Sequence, residues 1–228
     1  MLHERIDYLL KTGGVIHIRG ESGTGKTLLA TRFAAAVSRS NRVDWLCADG
    51  KKAFASALTR NVIHYGGMPS NIMILQPKGH VEARAAIMSL RETVNYNTRL
   101  IVIDPVTRVL NLGIRDLEMW DRVLVEEILP TIAGLAAEIH VCFILTSEVR
   151  MLDEQNVPIH QGIIRKWTDL EIFLERSKTD WTTINLLDQL EGLQHIGDMR
   201  LTEEGIVEIS TNYQGGDQTD CSESTCTV

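Results

Sequence analysis

A chain of 228 residues suits one domain with a sizeable core plus a tail, and 44% hydrophobic with 23% charged residues is ordinary globular composition. A formal net charge of -7 excludes a surface that is basic throughout, of the kind that coats nucleic acid. The opening MLHERIDYLL has charges and no apolar h-region, so it is not a secretory signal, and no window approaches the ~18 uninterrupted apolar residues of a membrane helix.

In chain order, apolar runs alternate with helical patterns. Strands are predicted at 15–19, 43–48, 72–76, 100–104 and 140–146, with helices near 26–39, 51–65, 81–96 and 117–138. "LIVID" and "VCFIL" are continuous apolar runs, as in a parallel sheet covered on both faces. The alternation predicts an α/β doubly wound fold. Leu29, Phe33, Ala36 and Val37 fall on one stripe of the first long helix, the side expected to face the sheet. Pro130 predicts a kink or restart in the fourth helical stretch. Cys47 and Cys142 sit in predicted strands and read as small core residues.

After about residue 168 the pattern changes. "DLEIFLER", "TTINLLD" and "GIVEIS" are strand candidates without helices between them, which predicts an antiparallel extension of the sheet. Residues 211–228 hold one aromatic, three acids and no base, and read as a disordered acidic tail behind a core of residues 1–210. Cys221 and Cys226 are too isolated for a zinc framework, and Thr225 rules out a prenylation signal. A cytoplasmic protein is expected.

Between the first strand and first long helix stands GESGTGKT, residues 20–27, a match to G-x-x-x-x-G-K-[ST]. Its glycines let successive N–H groups turn into one concavity at a helix N-terminus, which favours an anion. Gly20, Glu21, Ser22, Gly23, Thr24, Gly25, Lys26, Thr27 and Leu28 are therefore candidate nucleotide-binding residues. Lys26 can reach the β- and γ-phosphates of ATP, and the Thr27 hydroxyl can ligate Mg²⁺. The second element is an acid ending a later buried strand. "RLIVIDPVT" supplies Asp104, which can hold Mg²⁺ through water.

The spacing of "GESGTGKT", "LIVIDPVT", "CFILTSEVR", "DLEIFLER" and "MRLTEEGIVEI" resembles the RecA/RadA/KaiC superfamily. The short archaeal RadB-like and KaiC-like single-domain proteins are the most similar branch. The likeness spans about residues 3–210. It implies a RecA-like P-loop ATPase: a twisted, mostly parallel sheet flanked by helices, with an antiparallel C-terminal extension. No N/T-K-x-D motif for guanine follows the P-loop, and no Arg-rich lid marks a small-molecule kinase.

The resemblance also implies roles for single residues. Members carry a water-activating glutamate after the second strand, where this chain offers Asp49. An Asp–Gly pair is also a common turn, so both readings of Asp49 stand. A γ-phosphate sensor follows the strand at 140–146, where Thr146, Ser147 and Glu148 stand. KaiC-like members supply a Lys-x-Arg-Gly from a neighbouring subunit, but here Gln189 and Glu191 occupy the cationic places. Arg176 and Lys178 are nearby substitutes. Lys26, Asp49 and Glu148 thus form the candidate catalytic set for a slow ATPase that needs a partner's cation.

RecA-like proteins grip single-stranded DNA through two loops. The first candidate here sets Arg108, Arg115 and Arg122 against Asp116, Glu118 and Asp121. The second sets Arg150, Arg165 and Lys166 against Glu148, Asp153 and Glu154. Trp120 and Trp167 are the aromatics that can stack bases or pack. Neither loop has excess positive charge, which disfavours direct DNA binding. Recombinases also use a Phe-x-x-Ala hook ahead of the core. "FAAA" at Phe33 and "FASA" at Phe54 match its letters but fall on predicted helices, so they read as core packing. Two functions follow from the resemblance. One is an accessory ATPase of DNA recombination or repair; the other is a nucleotide-switched assembly module that homo-oligomerises or joins a RecA-family partner. No membrane role is expected.

Overall fold

A computed structural model of the chain describes residues 3–50, 53–110, 117–147, 149–152, 155–158, 161–177, 181–188, 192–201 and 207–210. The expected acidic tail lies outside them. Nine strands among these residues form one sheet. They are β1 (Gly14–Gly20), β2 (Arg42–Cys47), β3 (Ile72–Leu75), β4 (Thr98–Asp104), β5 (Cys142–Ser147), β8 (Leu170–Arg176), β9 (Trp181–Asp188), β10 (Gly192–Leu201) and β11 (Val207–Ser210), in the order β11-β10-β9-β8-β1-β5-β4-β2-β3. The short strands β6 (Val149–Leu152) and β7 (Gln155–Pro158) pair with each other alone.

The six strands from β8 to β3 in that order run parallel. β9, β10 and β11 follow antiparallel. The parallel strands therefore include β8, which "DLEIFLER" alone assigned to the antiparallel extension. β10 is absent from the sequence-based reading. Its alternation is broken by a bulge between His195 and Gly197, which scrambles the period-two pattern.

Helices cover both faces. α1 (Glu4–Thr12), α2 (Lys26–Ser38) and α3 (Phe54–His64) join one core, with Ile6, Leu29, Phe33, Phe54 and Leu58 packed on Ile16, Ile18 and Ile144. α4 (His80–Met88) and its short continuation α5 (Leu90–Thr93), α6 (Leu117–Arg122), α7 (Leu129–Ile139) and α8 (Gln161–Ile164) lie in the region of the second core, built on Ile101, Ile103, Phe143 and Leu145. β4 and β5 are buried nearly throughout because both faces are covered, which explains their unbroken apolar runs.

α2 turns Leu29, Ala30, Phe33 and Ala34 fully inward, whereas Ala36 and Val37 are only half-buried. Phe33 and Phe54 are both buried, so neither Phe-x-x-Ala match is available as a hook. Pro130 sits in the first turn of α7, directly after a π-helical segment at Val123–Ile128. The ring has no N–H to donate, so the helix restarts where that donor is dispensable. Among the described residues, no helix is long and apolar enough to cross a membrane.

Candidate nucleotide site

The loop after β1 opens onto the N-terminus of the 13-residue α2. Gly25, just before the helix, has φ 87° and ψ 18°, a left-handed conformation that a side chain would strain. Among the described residues no side chain caps the helix, so its first N–H groups face the loop's concavity. Gly20 is fixed by contact. A Cβ there would lie 2.4 Å from the carbonyl oxygen of Leu174, because β8 passes directly beside the loop. Thr24 closes the loop on itself, donating its hydroxyl to the Glu21 carbonyl at 2.9 Å.

Lys26 is buried, and its ammonium donates to the carbonyls of Gly20 at 2.8 Å and Glu21 at 2.7 Å. These contacts hold the cation over the loop instead of in solvent. A carbonyl offers only a dipole, so an incoming phosphate, with full charge, is a stronger acceptor for the same ammonium.

Thr27, the next residue, donates its hydroxyl to Oδ2 of Asp104 at 2.8 Å. β5 lies between β1 and β4 in the sheet, and its Thr146 donates a short hydrogen bond to the other oxygen, Oδ1. The Asp104 carboxylate is thus buried and aimed by hydroxyls from two elements. Its oxygen chemistry, together with the Thr27 hydroxyl, suits a hard cation such as Mg²⁺. Of Thr146, Ser147 and Glu148, Thr146 is thus the residue shown to meet Asp104. Glu148 lies outside the described residues, as do Lys178, Gln189 and Glu191.

Asp49 lies in the turn after β2. Parallel pairing in the register Cys47↔Asp104 brings that turn beside the one following β4. There Asp49 accepts an ion pair from Arg108, Nη2 to Oδ1 at 3.2 Å. Arg108, a candidate DNA contact in the sequence, is thus engaged within the fold. Arg122 in the same region pairs with Glu118 at 3.6 Å, and Trp120 is a core residue at 3% exposure, not a stacking platform. Trp167 packs half-buried against the second core. Arg165 and Lys166 are exposed, while the side chains of Arg115 and Arg150 lie outside the described residues. Arg176 does approach the loop: a Cβ on Gly23 would sit 3.4 Å from its Nη2.

One buried cluster escaped sequence reasoning. His17 on β1 bonds through Nε2 to Ser147 Oγ at 2.8 Å and through Nδ1 to Glu171 Oε2 at 3.2 Å. Arg19 donates to Glu171 Oε1 at 2.8 Å and covers the ring of Phe173 at 4.0 Å. Burial lowers the His17 pKa and outweighs the raising effect of Glu171. Burial pushes Glu171 upward, but hydrogen bonds from His17 and Arg19 prevail and lower it. An ionised Glu171 only accepts, so neutral His17 carries its proton on Nδ1 and accepts from Ser147 at Nε2. The available signal was two polar residues, His17 and Arg19, two apart in an otherwise apolar strand.

No family model matches the sequence, and no curated protein matches it. Among solved structures, that of the RadB recombinase is similar with a TM-score of 0.68 at 20% sequence identity, over 91% of this chain and 98% of that chain. The likeness is one of architecture, and it agrees with the strand order and the parallel-to-antiparallel change described above: the chain has the RecA-like fold.

Proposed function

We propose that residues 1–210 form a core that binds ATP with Mg²⁺, hydrolyses it slowly, and serves as an accessory to DNA recombination or repair. The observation that carries this reading is the Thr27–Asp104 hydrogen bond of 2.8 Å. It joins the helix that starts at the phosphate loop to the buried acid ending β4. Backbone amides of residues 20–27 would hold the triphosphate, Lys26 would meet its terminal phosphates, and Thr27 with Asp104 would hold Mg²⁺. Bound there, the metal would neutralise charge developing on the phosphates. Asp49 would orient and deprotonate water. Its carboxylate is one methylene shorter than a glutamate's, and a misplacement of about 1 Å can cost a hundredfold in rate. Slow turnover follows.

The test is nucleotide affinity with and without Mg²⁺. Asp104→Asn keeps the shape of the side chain and removes its charge. It is expected to weaken Mg²⁺-dependent ATP binding by roughly 10–100-fold, the usual effect of losing a residue that supports a metal's ligands. Equal affinities with the metal present would remove Asp104 from the site. Asp49→Asn is expected to abolish turnover measured by phosphate release while sparing binding. An undiminished rate would show that Asp49 is no base.

One observation favours a second reading, nucleotide-switched assembly. Among the described residues β3 is the last strand of the sheet, and its Met73 and Leu75 are exposed. Beside it lies an apolar groove of about 260 Å³ lined by Trp45, Leu46, Ile74, Ile87 and Leu90. An unpaired edge with a groove suits an extended segment carrying an apolar anchor, from a second copy or a RecA-family partner. ATPase rates with and without single-stranded DNA, alongside light scattering, separate the two. DNA stimulation selects the first reading, and ATP-dependent assembly without DNA selects the second.

A further inference from the structure

We propose that Arg108 is a positioning residue that holds the Asp49 carboxylate away from the attacking water and thereby keeps basal ATP turnover low. The inference rests on the reading above, in which this cleft hydrolyses ATP, and adds the element that restrains it.

The geometry has two parts. First, the turn bearing Arg108 is firmly seated. Val106 and Thr107 are 0% exposed, Val109 2% and Leu110 3%, so both flanks are anchored in the core. Arg108 between them is 42% exposed, with its Nε buried and its Nη2 reaching outward. Second, the guanidinium reaches across to the turn after β2 and meets Asp49 Oδ1 at 3.2 Å, with Asp49 only 19% exposed.

A general base works through a carboxylate oxygen that accepts a water's hydrogen bond in the direction of attack. In Asp49 one of the two oxygens instead faces the guanidinium of Arg108, which is carried by the turn after β4. The fold makes this inevitable in one respect: β2 and β4 are parallel neighbours, so the turns leaving them emerge at the same edge of the sheet. The restraint is reversible. A pair with a half-exposed partner biases its carboxylate by only about two- to fivefold, because solvent competes for both ions.

The experiment compares steady-state ATP hydrolysis and the affinity for a fluorescent ATP analogue in the full chain and in Arg108→Ala, Arg108→Lys, Asp49→Asn and the Arg108→Ala/Asp49→Asn double variant. Arg108→Ala is expected to raise kcat about two- to fivefold with KM and analogue affinity unchanged. Arg108→Lys, which restores a cation, returns the rate toward that of the unmodified chain. The double variant shows no gain, since the base that was released is gone. A rate in Arg108→Ala equal to or below the unmodified chain's, or a gain that survives in the double variant, overturns the proposal. If Arg108→Ala lowers the melting temperature, Arg108→Gln carries the same comparison. Failure of the unmodified chain to bind the analogue would instead overturn the ATP-binding reading, and the restraint with it.

Discussion

Replacing Lys26 by alanine is expected to weaken ATP binding by at least about thirtyfold. Truncating one partner of a buried, hydrogen-bonded charge contact costs on the order of 2–5 kcal/mol, of which the lower figure already corresponds to about thirtyfold. Lys26 is in that class. It is buried, and its ammonium is held at the mouth of the loop by the carbonyls of Gly20 and Glu21, where the outer phosphates would lie. The same contacts brace the loop, so loss of affinity could reflect a collapsed loop instead of a missing cation. Lys26→Arg separates these causes. It keeps the charge and donors but not the fit, so it should recover part of the affinity if charge dominates. Titration with a fluorescent ATP analogue measures both variants. Affinity within about threefold of the unmodified chain for Lys26→Ala would mean that the loop's cation does not meet the phosphates.

Much of the fold was legible because burial on two sides leaves a simple trace. β4 and β5 are apolar almost without interruption, and only a sheet covered by helices on both faces permits that. The loop was legible for a different reason. Glycines at 20, 23 and 25 followed by Lys26 and Thr27 have a chemical logic that survives without neighbours. What the sequence concealed depends on pairing across distant segments. β8 reads as one of a set of late strands, yet it runs parallel to β1, and no local feature of "LEIFLER" distinguishes the two directions. α1 is not among the predicted helices, because nine residues with several charges carry only a short apolar stripe. Only its inward Ile6, Leu9 and Leu10, and the capping of Arg5 N–H by His3 Nδ1 at 3.3 Å, mark it as a helix of the core.

The site divides in the same way. Asp104 could be placed by its position at the end of an apolar run, and it does meet Thr27. The sequence could not show that Asp49 would be paired with Arg108, since those residues stand 59 positions apart and meet only through the register of β2 with β4. That pairing changes the reading of both: a candidate DNA contact becomes a partner of the candidate base. The first loop has no excess of positive charge, and in the folded chain two of its bases, Arg108 and Arg122, are each engaged by a carboxylate. Direct gripping of DNA by this region would have to displace those carboxylates.

The largest expected effect on stability comes from the polar chain across β5, β1 and β8. Glu171→Ala leaves His17, fully buried, without an acceptor for its Nδ1 proton, and leaves Arg19 without its carboxylate. Breaking a buried pair from one side costs about 3–5 kcal/mol, and the lower figure applies because Arg19 keeps some contact with solvent. For a domain of this size about 3 kcal/mol lowers the melting temperature by roughly 6–12 °C. Glu171→Gln, which retains an acceptor for His17 but no charge for Arg19, should fall between the two. The pH dependence supplies a second readout. Both pKa values are lower in the folded chain, so in each case the unfolded chain binds protons more readily and stability falls with acid. The His17 contribution is complete above about pH 6.5 and is lost as pH falls below that value, and the Glu171 contribution follows below about pH 4.3. Removing Glu171 takes away the carboxylate that favoured protonated His17, so the loss that begins near pH 6.5 should steepen while the lower limb shrinks. Thermal melts of the three proteins between about pH 2 and 8 measure both effects. A Glu171→Ala melting temperature within about 2 °C of the unmodified chain at neutral pH, with an unaltered acid profile, would show that these buried bonds contribute little to holding β5, β1 and β8 together.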